Sequence, residues 1–447
     1  MTFDFFEGPA GTGKTHSLIG CAREFVRDGA LGENGRVLAL TFMNGARRRL
    51  EAKLGGEISF RRRFECQTFD VFARTLAARR KSLLLGNISL GEQAAALNEF
   101  DGPCFLAASL LEIPPVQQWV AQTFPLVLVD EAQDLDEHRL RILQGLTRFS
   151  RIVAAADAFQ CLADGRDTEA LICWMESAGQ THQLTQIRRT RQRGLLDAAL
   201  AVRERRDIKT VLTAKTFKDR TSWNGQGFRL CEVPVKNSGL LAWSIANDIA
   251  QRQGPVAILT PDAGSTIIRA ALNEVQTRQY KRKIGDATFG PYPHTWDRHE
   301  NEEADALLAD IALPESSSCA DILAILAPLA EQATVAQAMS RIERLRRVQG
   351  LSELSAEAVR GFVRDAVRNQ SRLGLRQRRG HLAMTIQRAK NREFPNVIVL
   401  WPHSAVGSPD HLCRLLYNAI TRAQNHCTVI VLGQARLGGP PFAPEKT

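Results

Sequence analysis

Aromatic side chains are sparse in this 447-residue chain, at 6% of the total with only three tyrosines. Long apolar runs are missing as well. No stretch approaches the ~18 residues that a membrane-crossing helix requires, so no membrane partner is expected. The nine cysteines are scattered and odd in number. None forms a C-x-x-C pair, which argues against a disulfide framework or a zinc knuckle and fits a reduced, cytoplasmic setting. The start Met1-Thr2-Phe3-Asp4-Phe5-Phe6 carries an acidic residue and no basic flank, and is not read as a signal peptide. An acidic excess is lacking too, since 58 Lys and Arg against 48 Asp and Glu leave a formal charge of +10. The arginines cluster at 47–49, 61–63, 79–81, 341–347 and 372–379. Such clusters are nucleic-acid patches or solvated helix faces with i,i+4 partners, and charge alone leaves both open. There is no nucleophile elbow and no Cys/His protease pattern. His294-Thr295-Trp296-Asp297-Arg298-His299-Glu300 holds metal-ligand types without helical i,i+4 histidines, and is read as an exposed loop.

What is present begins at Gly8-Pro9-Ala10-Gly11-Thr12-Gly13-Lys14-Thr15. This G-x-x-x-x-G-K-[ST] pattern lies between a strand-like start, residues 3–7, and an apolar-periodic stretch, 17–25. Glycines there let backbone N–H groups curl round a phosphate at a helix N-terminus. Lys14 can reach the β- and γ-phosphates of a nucleoside triphosphate, and the Thr15 hydroxyl can hold Mg²⁺. Downstream, the apolar run 126–129 ends in Asp130-Glu131-Ala132-Gln133-Asp134. Asp130 can ligand Mg²⁺, Glu131 can polarise an attacking water, and Gln133 is placed to sense the γ-phosphate.

Short apolar runs at 37–40, 125–129 and 151–156 alternate with helix-like segments, the pattern of a parallel sheet covered on both faces. Residues 1–183 are expected to form a first α/β domain with a helical insert at about 73–120. A second α/β unit is expected over 184–275 and 379–436, with apolar runs at 256–260, 382–385, 397–400 and 427–431 and a helix over 265–275. Residues 276–378 read as an inserted, mainly helical subdomain, and 437–447 as a disordered tail.

With these segments in this order, the chain resembles the UvrD/Rep/PcrA-like DNA helicases and translocases of superfamily 1. The phosphate loop at 8–15, with His16 following, is similar to that family's first motif. Leu40-Thr41-Phe42-Met43-Asn44 and Thr68-Phe69 resemble motifs that touch single-stranded DNA. Asp130 to Asp134 matches DExQD, and Ala156-Asp157-Ala158-Phe159-Gln160 resembles the coupling motif, whose glutamine senses the γ-phosphate. Residues 184–190, with Gln186, Arg188 and Arg189, look like the motif whose arginine reaches the γ-phosphate. Thr385-Ile386-Gln387-Arg388-Ala389-Lys390-Asn391-Arg392-Glu393-Phe394 resembles T-I-H-x-x-K-G-x-E-F, and residues 415–423 resemble the last motif, with Arg422 as a second arginine finger.

The resemblance implies an α/β fold of two RecA-like P-loop NTPase domains with parallel sheets and a small helical insertion in each. It implies ATP and Mg²⁺ in the cleft between them, bound by residues 8–16, Gln133, Arg188 and Glu393. Lys14, Asp130, Glu131, Gln160, Arg189 and Arg422 would be catalytic. Thr41, Phe42, Asn44, Thr68, Phe69, Thr385 and Gln387 would contact single-stranded or tailed duplex DNA.

The chain also departs from the pattern. Only seven residues precede Gly8, and they carry no adenine-reading glutamine motif, so strict ATP preference is not expected. Arg188 stands where the family stacks a tyrosine on adenine. Residues 160–166 lack the aromatics that stack on bases, each worth about 1–3 kcal/mol of strand grip. Asp70 and Gln387 replace histidines, with Asp70 expected to repel a phosphate backbone, and Asn391-Arg392 replaces Gly-Leu. The expectation is therefore a single-strand-driven ATPase travelling 3′-to-5′ with weak unwinding of its own. A nuclease or other partner, in DNA repair or phage defence, would supply the missing grip. The competing reading is an ATP-switched regulatory subunit; an RNA helicase is disfavoured by the motif spellings.

Overall fold

A computed structural model describes residues 2–445 apart from 58–59, 61–62, 85–87, 99, 164–166, 218–219, 282–286, 298–299, 310 and 374–379. Part of the coupling segment and most of the last arginine run thus lie outside the described residues. The chain divides into Met1–Pro291 with Thr385–Thr447, and Tyr292–Met384.

The larger unit holds two sheets. The first consists of β1 (Phe3–Glu7), β2 (Val37–Thr41), β3 (Phe64–Thr68), β4 (Leu126–Asp130), β5 (Arg151–Ala156) and β6 (Gln180–Gln183). All six are parallel, in the order β3-β2-β4-β5-β1-β6. The apolar runs are continuous because both faces are covered. Phe5, Leu38, Leu40, Val127, Val129 and Ile152 enter one core. Their neighbours Phe6, Val37, Ala39, Leu126, Leu128 and Val153 enter the other. The period-2 alternation of a strand thereby serves two helical layers at once. Parallel strands also bring the loops after β1, β4 and β5 to the same carboxyl edge, where ligands of open α/β sheets bind.

The second sheet adds β7 (Thr213–Phe217), β8 (Arg220–Gly225), β9 (Phe228–Val233) and β10 (Val256–Thr260) to the strands Phe394–Trp401 and Ala423–Leu432. From β10 through Phe394–Trp401 and Ala423–Leu432 to β9 the pairing is parallel. Strands β9, β8 and β7 then run antiparallel at the edge. The helix Pro409–Ile420 connects the two long strands, capped by the Ser408 hydroxyl accepting from the His411 N–H.

Residues 73–120 are mostly helical, in the helices Phe69–Arg79, Lys81–Leu84, Ile88–Ala95, Asp101–Leu110 and Pro114–Thr123. One buried cation ties them to the sheet. Arg139, its side chain 5% exposed, donates to Asp70 at 2.6 Å and Asp101 at 2.9 Å, and also to Asp136. It lies 5.5 Å from the centre of the Phe42 ring. This corrects the expectation for Asp70, whose charge is consumed by Arg139 instead of facing a phosphate backbone.

Three other expectations change. Residues 437–445 are ordered: Phe442 is fully buried edge-on against Trp401 at 5.6 Å, and its carbonyl accepts from the Ile208 N–H. An aromatic plug outweighs the Gly and Pro residues around it. Residues 276–291, expected in the insert, belong to the larger unit, where Tyr280 stacks on Phe289 at 5.6 Å in a short hairpin. His294–Trp296, expected as an exposed loop, is a strand paired with residues 381–383, and burial lowers the His294 pKa.

In the smaller unit, the helices Glu300–Leu307, Cys319–Leu326, Ala333–Gln349 and Ala356–Leu373 surround a core of Ile322, Leu326, Val335, Ile342, Val359 and Val363. Val335, Ala338 and Ile342 on one helix, and Val359 and Val363 on another, recur at 3–4 residue spacing, the pattern of a helix with one face in the core. Arg341 pairs with Asp365 at 2.7 Å and Arg347 with Glu343 at 3.8 Å, so part of this arginine run is an ion-paired helix face.

Replacing Arg139 with Met keeps the stem and removes the guanidinium, leaving Asp70, Asp101 and Asp136 facing one another. The expected loss at pH 7.5 is about 3–5 kcal/mol of unfolding free energy in denaturant titration. Burial alone would raise the Asp101 pKa, but hydrogen bonds from Arg139 and Asn98 outweigh it and hold it low. An acid with a depressed folded pKa contributes stability that is lost as pH falls through that value. The gap between parent and variant should therefore narrow on acidification, and a gap independent of pH would contradict this account.

Candidate nucleotide site

The strand β1 runs into the loop Gly8–Gly13 and then the helix Lys14–Arg27. Gly11 and Gly13 have φ of 83° and 93°, which side chains disfavour. At Gly11 a Cβ would also lie 2.7 Å from the Arg189 Cβ. Glycine there lets the segment carrying Arg188 and Arg189 settle on the loop, and the Arg188 N–H donates to the Gly11 carbonyl at 2.7 Å. The Lys14 ammonium donates to the Gly8 carbonyl at 2.7 Å and the Pro9 carbonyl at 3.1 Å, so it rests inside its own loop. The Thr12 hydroxyl closes the loop onto Pro9 at 2.9 Å.

The Thr15 hydroxyl donates to Asp130 at 3.0 Å. Burial, then the neighbouring Glu131 charge, pushes the Asp130 pKa up to about 6, against the opposing pull of Thr15 and Lys14. Glu131 sits in a left-handed turn with φ 61°. Burial would raise its pKa, but Lys14, Lys390, Gln133 and Arg422 together lower it. Two adjacent carboxylates, Asp130 buried and Glu131 half-buried, thus differ in proton affinity, because cations and donors converge on the second.

A cleft of about 490 Å³ is lined by Lys14, Thr15, Asp130, Glu131, Gln160, Arg189 and Arg422. All six residues expected to be catalytic therefore share one space. Ala10, Gly11, Gly13, His16, Arg188 and Glu393 also line it. Arg189 donates to the Thr421 carbonyl at 2.9 Å and pairs with Glu393 at 3.0 Å. Arg422, 2% exposed, donates to the Asn418 carbonyl at 3.0 Å. Burial, then Arg189, lowers its pKa to about 10, with Glu131 pulling the other way.

Gln133 does not line this cleft. It is fully buried behind Glu131, to which its Nε2 donates at 2.6 Å, while its Oε1 accepts from the Asp157 N–H at 3.1 Å. Its amide is thus engaged by Glu131 and the Asp157 N–H. The expected DNA contacts divide similarly. Thr41 is buried and donates to the Met43 carbonyl at 3.3 Å. Thr68 caps the helix Phe69–Arg79 through the Val71 N–H, and Phe69 is 1% exposed in the core. These three side chains are committed to the fold, whereas Phe42 and Thr385 are half-buried and Gln387 is exposed. The Asn44 side chain lies outside the described residues.

Several groups escaped the sequence reading. The Tyr417 hydroxyl accepts from the Ala10 N–H at 3.0 Å and donates to Asp157 at 3.3 Å. Arg203 in turn binds Asp157 at 2.8 Å. Lys390 pairs with Asp134 at 2.5 Å, both side chains being 7% exposed. Arg49 and Lys53 line the cleft with Ala46 and Leu50. Their i, i+3, i+4, i+7 spacing on the helix Asn44–Gly55 was the available signal that one face points there. The run 47–49 is therefore split, with Arg47 paired to Glu51 at 2.6 Å.

A phosphate loop, an acidic pair and two arginines around one cleft define a nucleotide-binding P-loop NTPase of RecA-like α/β fold. A family model described as an AAA domain matches residues 1–221, and one described as the UvrD-like helicase C-terminal domain matches 381–430. The curated proteins searched contain no match. Together the two matches support a UvrD-like superfamily 1 helicase-type protein. No helix among the described residues is long and apolar enough to cross a membrane.

Because Asp130 is ionised at a desolvation cost, Asp130→Asn should stabilise the nucleotide-free protein by on the order of 1 kcal/mol at pH 8. An acid whose folded pKa is raised loses stability as pH rises from its unfolded value through about 6. The advantage of the variant should accordingly vanish near pH 4, and thermal melts across that range would read it.

Proposed function

We propose that this chain hydrolyses ATP in the cleft between its two α/β halves and uses the cycle to move along single-stranded DNA. The observation that carries this reading is the shared lining. Lys14, Asp130 and Glu131 come from the first sheet's loops, while Arg189 and Arg422 follow it in the chain and are held to Glu393, Thr421 and Asn418. A nucleotide-switched binder has no need of a water-polarising carboxylate opposite two arginines.

In this reading the Lys14 ammonium turns from the Gly8 and Pro9 carbonyls to the β- and γ-phosphates. Glu131, kept ionised by the cations around it and aimed by Gln133, accepts the proton of the attacking water. Arg189 and Arg422 stabilise the charge that develops on the departing phosphoryl group. Arg188 lies flat on the base in place of a tyrosine. Asp130 and Thr15 are hard oxygen donors 3.0 Å apart, and the carboxylate's raised pKa reflects a charge short of a counter-ion, which fits Mg²⁺. Among the described residues no group of three or more His, Cys, Asp or Glu side chains is arranged to hold a metal ion, so the cation would rest on these two groups and the phosphates. When bound, it would screen the phosphate charge.

Closing the cleft on ATP and reopening it after hydrolysis would ratchet the halves along a strand, 3′-to-5′. The setting would be DNA repair or phage defence beside a nuclease or other partner. A second reading, an ATP-switched regulatory subunit, is favoured by one observation: Thr41, Thr68 and Phe69 are committed to the core, which thins the strand grip.

ATPase assays with and without single-stranded DNA, followed by strand displacement on a 3′-tailed duplex, separate the two. Stimulation by DNA is expected, with weak displacement. Lys14→Ala should abolish turnover, and Arg422→Ala should lower kcat about 10³-fold. Absence of DNA stimulation would sink the motor reading, and normal turnover in Glu131→Gln would remove that residue from its role.

A further inference from the structure

One polar side chain in the wall of the cleft has nothing to bind. Asn391 is 2% exposed, and both its Nδ2 and its Oδ1 lack a hydrogen-bond partner. It lines the cleft alongside Lys14, Glu131 and Arg422. A buried donor or acceptor left unsatisfied costs about 1–3 kcal/mol, so two on one side chain call for a reason. The backbone adds to this. Asn391 has φ 62°, a left-handed conformation that glycine takes without strain and asparagine tolerates. Glycine would satisfy the turn with no orphaned amide, yet the chain carries the amide.

Its neighbours fix where that amide lies. Lys390 is held by Asp134, at the far end of the loop that carries Glu131, and lowers the Glu131 pKa after burial and Lys14 have acted. Glu393 is held by Arg189. Asn391 is thus pinned between a residue anchored beneath the water-polarising carboxylate and one anchored to an arginine of the phosphate end. The buried Asn418 differs: its Nδ2 has carbonyl partners at 2.9 and 3.4 Å, and it does not line the cleft.

We propose that Asn391 contacts the triphosphate, its Nδ2 donating to a terminal phosphate oxygen and its Oδ1 accepting from the attacking water. The inference rests on the nucleotide reading above and adds a residue to it. A carboxamide suits the task because it offers one donor and one acceptor without charge. It distinguishes ATP from ADP, since only the triphosphate brings both partners.

The test uses the full chain, titrated calorimetrically with a non-hydrolysable ATP analogue and with ADP, alongside steady-state ATPase. Asn391→Gly removes the amide and keeps the left-handed turn. Its affinity for the analogue should fall roughly tenfold, about 1.4 kcal/mol, with ADP affinity within about twofold and kcat down at least about tenfold. Asn391→Asp keeps the shape and places a negative charge beside the phosphate, so it should weaken the analogue further still. If Asn391→Gly misfolds, this second variant carries the test through the same analogue-to-ADP ratio. An unchanged ratio with unchanged kcat would overturn the assignment while leaving the nucleotide reading standing. Failure of the unaltered chain to bind either nucleotide would overturn both.

Discussion

Two adjacent carboxylates at the end of one buried strand set the terms for the larger unit. Asp130 and Glu131 leave β4 where the first sheet is covered on both faces, and ionised acids in such a place need cations. The near part of the chain supplies Lys14, and the far part supplies Lys390 and Arg422. The acidic pair therefore explains why a segment some 250–290 residues downstream in sequence folds back against this edge. Arg422 is desolvated beside Arg189, and its guanidinium donates to the Asn418 carbonyl and the Thr421 hydroxyl of its own turn.

The glycines of the phosphate loop serve this closure as much as they serve a phosphate. With no side chain at Gly11, the Arg189 segment reaches the loop, and Tyr417 closes the other side by holding the Ala10 N–H. An N–H pointed inward at Tyr417 and an ammonium folded onto loop carbonyls describe a site whose donors are provisionally occupied. An incoming triphosphate would compete for the Lys14 ammonium at little cost, since backbone carbonyls are weaker acceptors for a cation than phosphate oxygens. Asn391 is the counterpart on the facing wall, a group held without a partner where one would arrive.

Much of this was legible from residue order. The parallel first sheet follows from runs such as Val37-Leu38-Ala39-Leu40, because apolar residues at every position mean burial on both faces. The phosphate loop, the acidic pair and both arginines could be named from spacing, and all meet in the cleft. The failures share a cause. Gln133, Thr68 and Phe69 carry residue types that suit either a ligand or a core, and spacing cannot say which way a side chain turns. Asp70 looked free because its partner, Arg139, lies 69 positions away. Phe442 looked disordered because its Gly- and Pro-rich surroundings favour irregular chain, while the packing that orders it comes from Trp401 in another segment.

The sequence by itself determined the chemistry that can occur: which residues accept protons, which carry fixed positive charge, and where glycine permits a turn that other residues resist. These are local properties, set by side-chain type and by backbone sterics over a few residues. Tertiary structure alone decided the assignments between distant segments. It paired Lys390 with Asp134, turned Arg49 toward the cleft and Arg47 away from it, and left Asn391 without a partner. The physical reason is that burial and partnership depend on the proximity of residues far apart in the chain. Desolvation then amplifies that proximity, so the same carboxylate or amide changes its role with its neighbours.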